Sequence, residues 1–210
     1  MFRNAARFLV TVLVLALVGI TPGMGGVPGQ QPVYASRGAM PALDAAGDLS
    51  SAVTIKKPRT IHAPYLPSGN VSGERFHEMG IFWMGKVTSS ENYADVRVGY
   101  NDQALFLHAS VFDRLVWYDV KHDPAKLMSF DAVSVLLNTG DLKTTKLTAE
   151  HLRFVSAMSW FEDHSLYQAA YRGKTAVKDV MFQSTAGYAG GQFNNGQENR
   201  GWAMGFVIPF

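Results

Sequence analysis

In the stretch from Val96 to Phe112, apolar residues fall at every second position: Val96, Val98 and Tyr100, then Leu105, Leu107, Ala109 and Val111. A period of two is what an extended strand with one buried face requires, because successive side chains point to opposite sides. Between the runs, Asn101-Asp102-Gln103 supplies turn chemistry, so the segment predicts a β-hairpin. The other face of the second run, Phe106, His108, Ser110 and Phe112, is mixed in character.

The same period recurs downstream. Val133, Val135 and Leu137 alternate with Ala132, Ser134 and Leu136, and Leu152, Phe154 and Met158 line one side of the next run. Residues 165–173 and 176–183 read as a pair joined near Gly173. At the end, Trp202, Met204, Phe206 and Ile208 alternate with Ala203, Gly205 and Val207, large against small, which places this strand against a second layer. Many short strands between turn signals, with Lys143 to Leu152 as the one modest helix candidate, predict an all-β chain. Its expected form is an antiparallel β-sandwich with jelly-roll-like or immunoglobulin-like layering. The Gly, Asn and Gln-rich run from Gly187 to Arg200 is expected to be a long mobile loop.

Ahead of the strands, Arg3 and Arg7 precede an apolar run from Phe8 to Ile20, too short for a membrane span and suited to a secretory signal. Val33 and Ala35, on either side of Tyr34, place the expected cleavage after Ala35, with an uncleaved anchor as the rival. The expected organisation is a signal peptide and Gly/Pro-rich leader over 1–35, a linker over 36–70 and a sandwich over 71–210. The chain stops on an apolar residue in mid-strand, which predicts a longer protein with further domains. Taking 35 from 210 residues leaves 175, enough for one domain with a full core.

The two leader arginines account for the whole formal charge of +2, so the remaining surface is neutral and lacks the cationic excess of a nucleic-acid binder. Cysteine is absent, which excludes iron–sulfur clusters, covalently attached haem and thiol catalysis. An exported chain without disulfides points to a bacterial secreted or cell-envelope protein.

Catalytic patterns fail in turn. His77-Glu78-Met79-Gly80-Ile81 has Ile81 where a zinc-protease helix needs its second histidine. The glycines at 23–29 are interrupted by Pro28 and precede no helix, and no nucleophile elbow occurs. The six histidines, at 62, 77, 108, 122, 151 and 164, form no tight pair. The aromatic residues at strand ends remain. Trp83 and Trp202 sit in clean alternations and are expected in the core. Trp117 lies beyond its strand among Arg114, Asp119, Lys121, His122 and Asp123, and Trp160 precedes Phe161-Glu162-Asp163 in the same way. An indole in a polar loop either folds back to cap the sandwich or meets a ligand, and both roles are open for these two. Asp113 and Asp131 each stand at the end of an apolar strand, where a carboxylate can cap loop amides, bind Ca²⁺ or orient a sugar hydroxyl.

Taken as a set, residues 93–113, the Trp/Tyr-bearing loop, Phe130 to Asp141 and the closing Gly201 to Phe210 resemble the family 9 carbohydrate-binding module and its DOMON-like relatives. The resemblance runs from about Phe76 to Phe210 and rests on a V-R-V-x-Y strand, a strand ending in Asp, a D-x-V-x-V strand and a late strand ending in I-P. It implies a secreted β-sandwich that binds sugar between aromatic rings, often with structural calcium. Under it, Trp117, Tyr118 and Trp160 are ring platforms, Arg114, Asp119 and Glu162 their polar neighbours, and Asp113 and Asp131 the recurrent acids that can hold Ca²⁺. The expected function is a noncatalytic binding module for a polysaccharide or oligosaccharide, accessory to a polysaccharide-degrading or cell-surface protein such as a glycoside hydrolase. Membrane contact is expected only through the signal segment. One alternative is a noncovalent b-type haem electron-transfer domain, with His77, Met79, Met84, Lys86 or Met204 as axial ligands; another is a surface assembly module without a small ligand.

Overall fold

The expected hairpin forms as β3 (Tyr93–Tyr100) and β4 (Ala104–Phe112), paired antiparallel from Tyr93 opposite Phe112 to Tyr100 opposite Leu105. Asn101 closes the turn: its side-chain oxygen accepts the amides of Gln103 at 2.8 Å and Ala104 at 2.9 Å. The computed structural model describes residues 11–17, 61–67, 77–85, 93–138, 148–160, 163–190, 192–196 and 198–210.

Two five-stranded antiparallel sheets stack face to face, as the all-β expectation requires. One contains, in spatial order, β1 (Thr11–Leu17), β5 (Ala132–Asn138), β6 (His151–Ala157), β7 (Gln168–Arg172) and β8 (Thr175–Val177). The other runs β2 (Gly80–Gly85), β3, β4, β10 (Asn199–Pro209) and β9 (Gln183–Gly190). Val133, Val135 and Phe154 of the first sheet meet Val96, Leu107, Met204 and Phe206 of the second in one hydrophobic core. Polar residues also bridge the sheets: Ser156 on β6 contacts Ser184 on β9 at 2.9 Å, and Ser184 donates to Gln168 at 2.6 Å.

Several expectations change in detail. The helix candidate over 143–152 ends instead in a turn at 148–150 and the start of β6, while residues 143–147 lie outside the described residues. Gly173 does join a hairpin, in the left-handed region at φ 58, but the run expected over 176–183 divides into β8 and β9 because bends intervene at 178–180. The run from Gly187 to Arg200 is also shorter as a loop than its composition suggests: β9 continues to Gly190 and β10 begins at Asn199. β10 carries a register irregularity between Asn199 and Gly201, and a Cβ at Gly201 (φ 133) would collide with the Val111 carbonyl, so glycine is required there.

β1 comes from the apolar run read as a leader and pairs along its full length with β5. The boundary at Ala35 and residues 36–60 of the linker lie outside the described residues. The end of that linker belongs to the domain. Tyr100 donates its amide to the Pro64 carbonyl and accepts the Leu66 amide at 2.7 Å. Leu66 occupies the space left by the missing side chain of Gly99, buried with Met79, Ala104 and Phe106 on the outside of the second sheet.

Candidate functional site

The loop leaving β4 is fastened by two carboxylates. Asp113 accepts the Leu115 amide at 3.0 Å through Oδ1 and the Trp202 indole N–H at 3.3 Å through Oδ2. Asp131 accepts the Trp117 amide at 2.7 Å through Oδ2, and its own amide donates to the Trp117 carbonyl at 3.1 Å. Asp131 is 1% exposed, and its Oδ1 is buried without a hydrogen-bond partner. Burial first, and then the negative charge of Asp113, hold the Asp131 carboxyl well above the usual carboxylate range, against the lowering effect of the Trp117 amide. Calcium takes six to eight oxygen ligands. No group of three or more histidine, aspartate or glutamate residues able to hold a metal exists among the described residues, and the Asp113 oxygens already face N–H donors. This donor set falls short of a calcium shell; a proton on Asp131 suits it.

Two of the three loop aromatics expected as sugar platforms, Tyr118 and Trp160, meet the same ring, Phe193. Tyr118 is buried, with its ring 6.2 Å from that of Tyr167 and edge-on to Phe193 at 5.6 Å. Trp160 stacks on Tyr188 at 4.9 Å and meets Phe193 edge-on at 4.5 Å. Trp117 is half-buried, and its indole N–H is buried without an acceptor. Asn194 fixes this end: its side chain accepts the Tyr118 amide at 2.8 Å and donates to the Tyr118 carbonyl at 3.0 Å, copying a strand's pairing pattern. The loop expected to be mobile is therefore docked here. Of the polar neighbours, Arg114 pairs with exposed Glu198, and Asp119 caps a turn by accepting the amides of Lys121 and Asp123 at 3.0 and 2.9 Å. Burial acts to raise the Asp119 carboxyl, but those two amides, together with Lys126 and His122, draw it below its ordinary value. Glu162 lies outside the described residues. Trp160, packed on Tyr188 and Phe193 against the core, has the geometry of a cap on the sandwich end, the first of its two open roles.

Nor do the haem-ligand candidates converge. Met204 is inside the sandwich against the Ser156 hydroxyl, Met79 is in the cluster outside the second sheet, Met84 packs on the main core and His77 is exposed. Lys86 lies outside the described residues.

An open aromatic surface occurs elsewhere, on the outer face of the second sheet. Trp202 is in the core at 3% exposed, as expected, but Trp83 is 66% exposed, against expectation. The cause is parity. Residues 81–84, Ile-Phe-Trp-Met, are apolar on both sides, and Phe82 and Met84 take the inward positions. Register then places Trp83 opposite Asp95, Asp95 opposite Ser110, Ser110 opposite Ala203 and Ala203 opposite Gly187. The neighbouring row runs Ile81, Arg97, His108, Gly205, Thr185. Tyr93 and Phe112 stack at 4.3 Å and 5° on the same face, two residues along β3 and β4 from Asp95 and Ser110. Arg97 pairs with Asp95 at 3.2 and 3.4 Å. Burial lowers the His108 imidazole below its ordinary value; Asp95 opposes this and Arg97 adds to it.

No protein-family model matches this sequence, and no curated protein matches it. Solved structures of similar shape include a family 9 carbohydrate-binding module from Caldicellulosiruptor kristjanssonii in complex with cellotriose. It is 13% identical, with 72% of this chain and 68% of that chain covered and a TM-score of 0.45. Another, from the same organism and in complex with glucose, is 12% identical, with 70% and 68% covered and a TM-score of 0.41. The two-sheet architecture described above rests on the strand pairing itself rather than on these likenesses.

Proposed function

We propose that this protein is a noncatalytic carbohydrate-binding module that seats sugar rings on the outer face of the β2–β3–β4–β10–β9 sheet. The observation that carries the reading is Trp83, an indole two-thirds exposed on a rigid strand beside polar groups. A pyranose presents a C–H face that packs on an indole and a rim of hydroxyls that needs hydrogen-bond partners. Asp95 and Arg97 on the adjacent strand, and His108 and Ser110 one strand further on, occupy outward positions and supply both donors and acceptors. An exposed apolar ring ordinarily favours burial, and a ligand provides it without disturbing the core. Export to the cell surface, as an accessory to polysaccharide degradation, is the setting this reading requires.

The test is retention on insoluble cellulose and xylan, with titration of cellotriose and glucose, for the wild type and Trp83→Ala. The expected result is loss of retention by a variant whose unfolding transition is unchanged. Equal retention by folded Trp83→Ala, or a haem Soret band in the purified protein, would overturn the reading.

A further inference from the structure

The outer face differs from one edge to the other. At β2 it carries Trp83, whereas at β10 and β9 it narrows to Ala203, Gly205 and Gly187. A Cβ built at Gly187 meets nothing within 4 Å, so the floor there is low and open. β2 and β9 are the two edge strands of this sheet, so among the described residues no further strand closes either end of the row. Four interstrand spacings separate those edges, about 19 Å in all. Bulk rises instead along the sides. The Tyr93–Phe112 stack stands on one flank, and the Leu66 cluster over Phe106 stands on the other.

From this shape we infer that the face takes an internal stretch of an extended, uncharged polysaccharide, laid across the strands from Trp83 to Gly187. The inference rests on the carbohydrate-binding reading and specifies which part of the polymer is bound. A receptor for a chain end needs a wall that stops the chain and partners that read the terminal hydroxyls. This row has its walls along the sides and runs out at both edge strands, which lets a chain enter and leave. Its length spans several sugar rings, so binding energy accumulates along the polymer instead of at one residue.

Charge narrows the class further. In the two rows the ionic groups are Asp95 and Arg97, which are paired with each other. Burial disfavours the imidazolium form of His108. A uronic acid or sulfated sugar would therefore meet a surface without net positive charge, whereas neutral hydroxyls find donors and acceptors.

The experiment is calorimetric titration of the full chain with cello- and xylo-oligosaccharides from disaccharide to hexasaccharide, each as the free sugar and with its reducing end converted to the alditol. Affinity is expected to rise by about tenfold or more with length, the equivalent of an added ring contact, and to be indifferent to end reduction in the longer chains. Gly187→Trp, placed in open space at the far edge, is expected to return long chains to disaccharide affinity. Affinity independent of length, or abolished by end reduction, would overturn the inference and leave the binding module standing. Failure of every oligosaccharide to bind the wild type would overturn both.

Discussion

The amide nitrogen of Trp117 donates to the Asp131 carboxyl group, 2.7 Å from Oδ2, and the Asp131 amide returns to the Trp117 carbonyl at 3.1 Å. This reciprocal pair ties the loop after β4 to the first residue before β5. It also holds a carboxyl group in the interior near a second one, Asp113. Removing the acceptor with Asp131→Ala leaves the Trp117 amide without a partner and is expected to cost about 1–3 kcal/mol. Asp131→Asn keeps an acceptor and removes the ionisation. Because the folded-state pKa of Asp131 is raised, the unfolded chain releases this proton first as pH climbs past 3.8, and the wild type loses stability over that climb until the folded group also ionises. Urea unfolding from pH 4 to pH 7 is therefore expected to move in favour of Asp131→Asn relative to the wild type. A constant difference across that range would show that Asp131 ionises alike in both states.

Asn194 makes the same kind of connection with a side chain. It sits in the left-handed region at φ 55, and its amide group holds both backbone polar atoms of Tyr118. Asn194→Ala loses both bonds and places an ordinary residue in a strained conformation, with an expected cost of about 1–3 kcal/mol. Asn194→Gly relieves the backbone but not the bonds, so it should recover only part of the loss. Amide exchange at Tyr118 is the direct readout and should accelerate in both variants. Protection unchanged from the wild type would mean that the Tyr118 amide is shielded by its surroundings alone.

These contacts mark where the sequence was readable. The β3–β4 hairpin was legible because period-two alternation and an asparagine turn agree locally. Trp202 was legible because Ala203 and Gly205 leave only one side able to fill a core. Trp83 was not, since its segment is apolar on both sides and its facing is settled by pairing with β3, whose Asp95 and Arg97 mark the outward side. That signal was present in the sequence, but only once the register of two separate strands was known. The packing of Trp160 on Tyr188 and Phe193, and the Asn194 clasp across 76 residues, are tertiary facts. A Gly/Asn-rich composition describes a backbone free to bend and does not reveal that an asparagine amide can pair like a peptide group.

His164 carries a separate dependence on pH. The Ser184 hydroxyl donates to Gln168 and accepts from Ser156, so Ser156 in turn accepts from His164 Nε2–H at 2.9 Å; in the neutral ring Nδ1 then accepts from Ser159 at 2.8 Å. Both contacts are met by the neutral ring, and it is burial that favours that form. Burial lowers the His164 pKa below 6.5, with Asp163 opposing, and burial lowers His108 likewise. Their stabilising contribution is complete above about pH 6.5 and is lost as pH falls through that value toward the folded-state pKa, because the unfolded chain then binds the extra proton. Glutamine offers one acceptor and one donor group, so His164→Gln should preserve the links at neutral pH and reduce the acid loss, and adding His108→Gln should reduce it further. Reading each variant against the wild type cancels the opposing contribution of Asp131. An acid loss identical in all three proteins would place the responsible groups elsewhere.

The two tryptophans of opposite parity separate binding from folding. Trp202 fills the core and gives its indole N–H to Asp113, so Trp202→Ala opens a cavity and releases a buried carboxylate oxygen. A cost of about 3–5 kcal/mol is expected, seen as a fall in the urea midpoint. Trp83 touches solvent over most of its surface, and Trp83→Ala should alter stability by no more than about 0.5 kcal/mol while removing the ring on which the proposed sugar sits. The contrast follows from one step along a strand, since an odd or even position decides which side of the sheet a side chain faces. A Trp83→Ala loss comparable to that of Trp202→Ala would mean that Trp83 is covered by another part of the protein in solution, and the outer face would then be closed to a polymer.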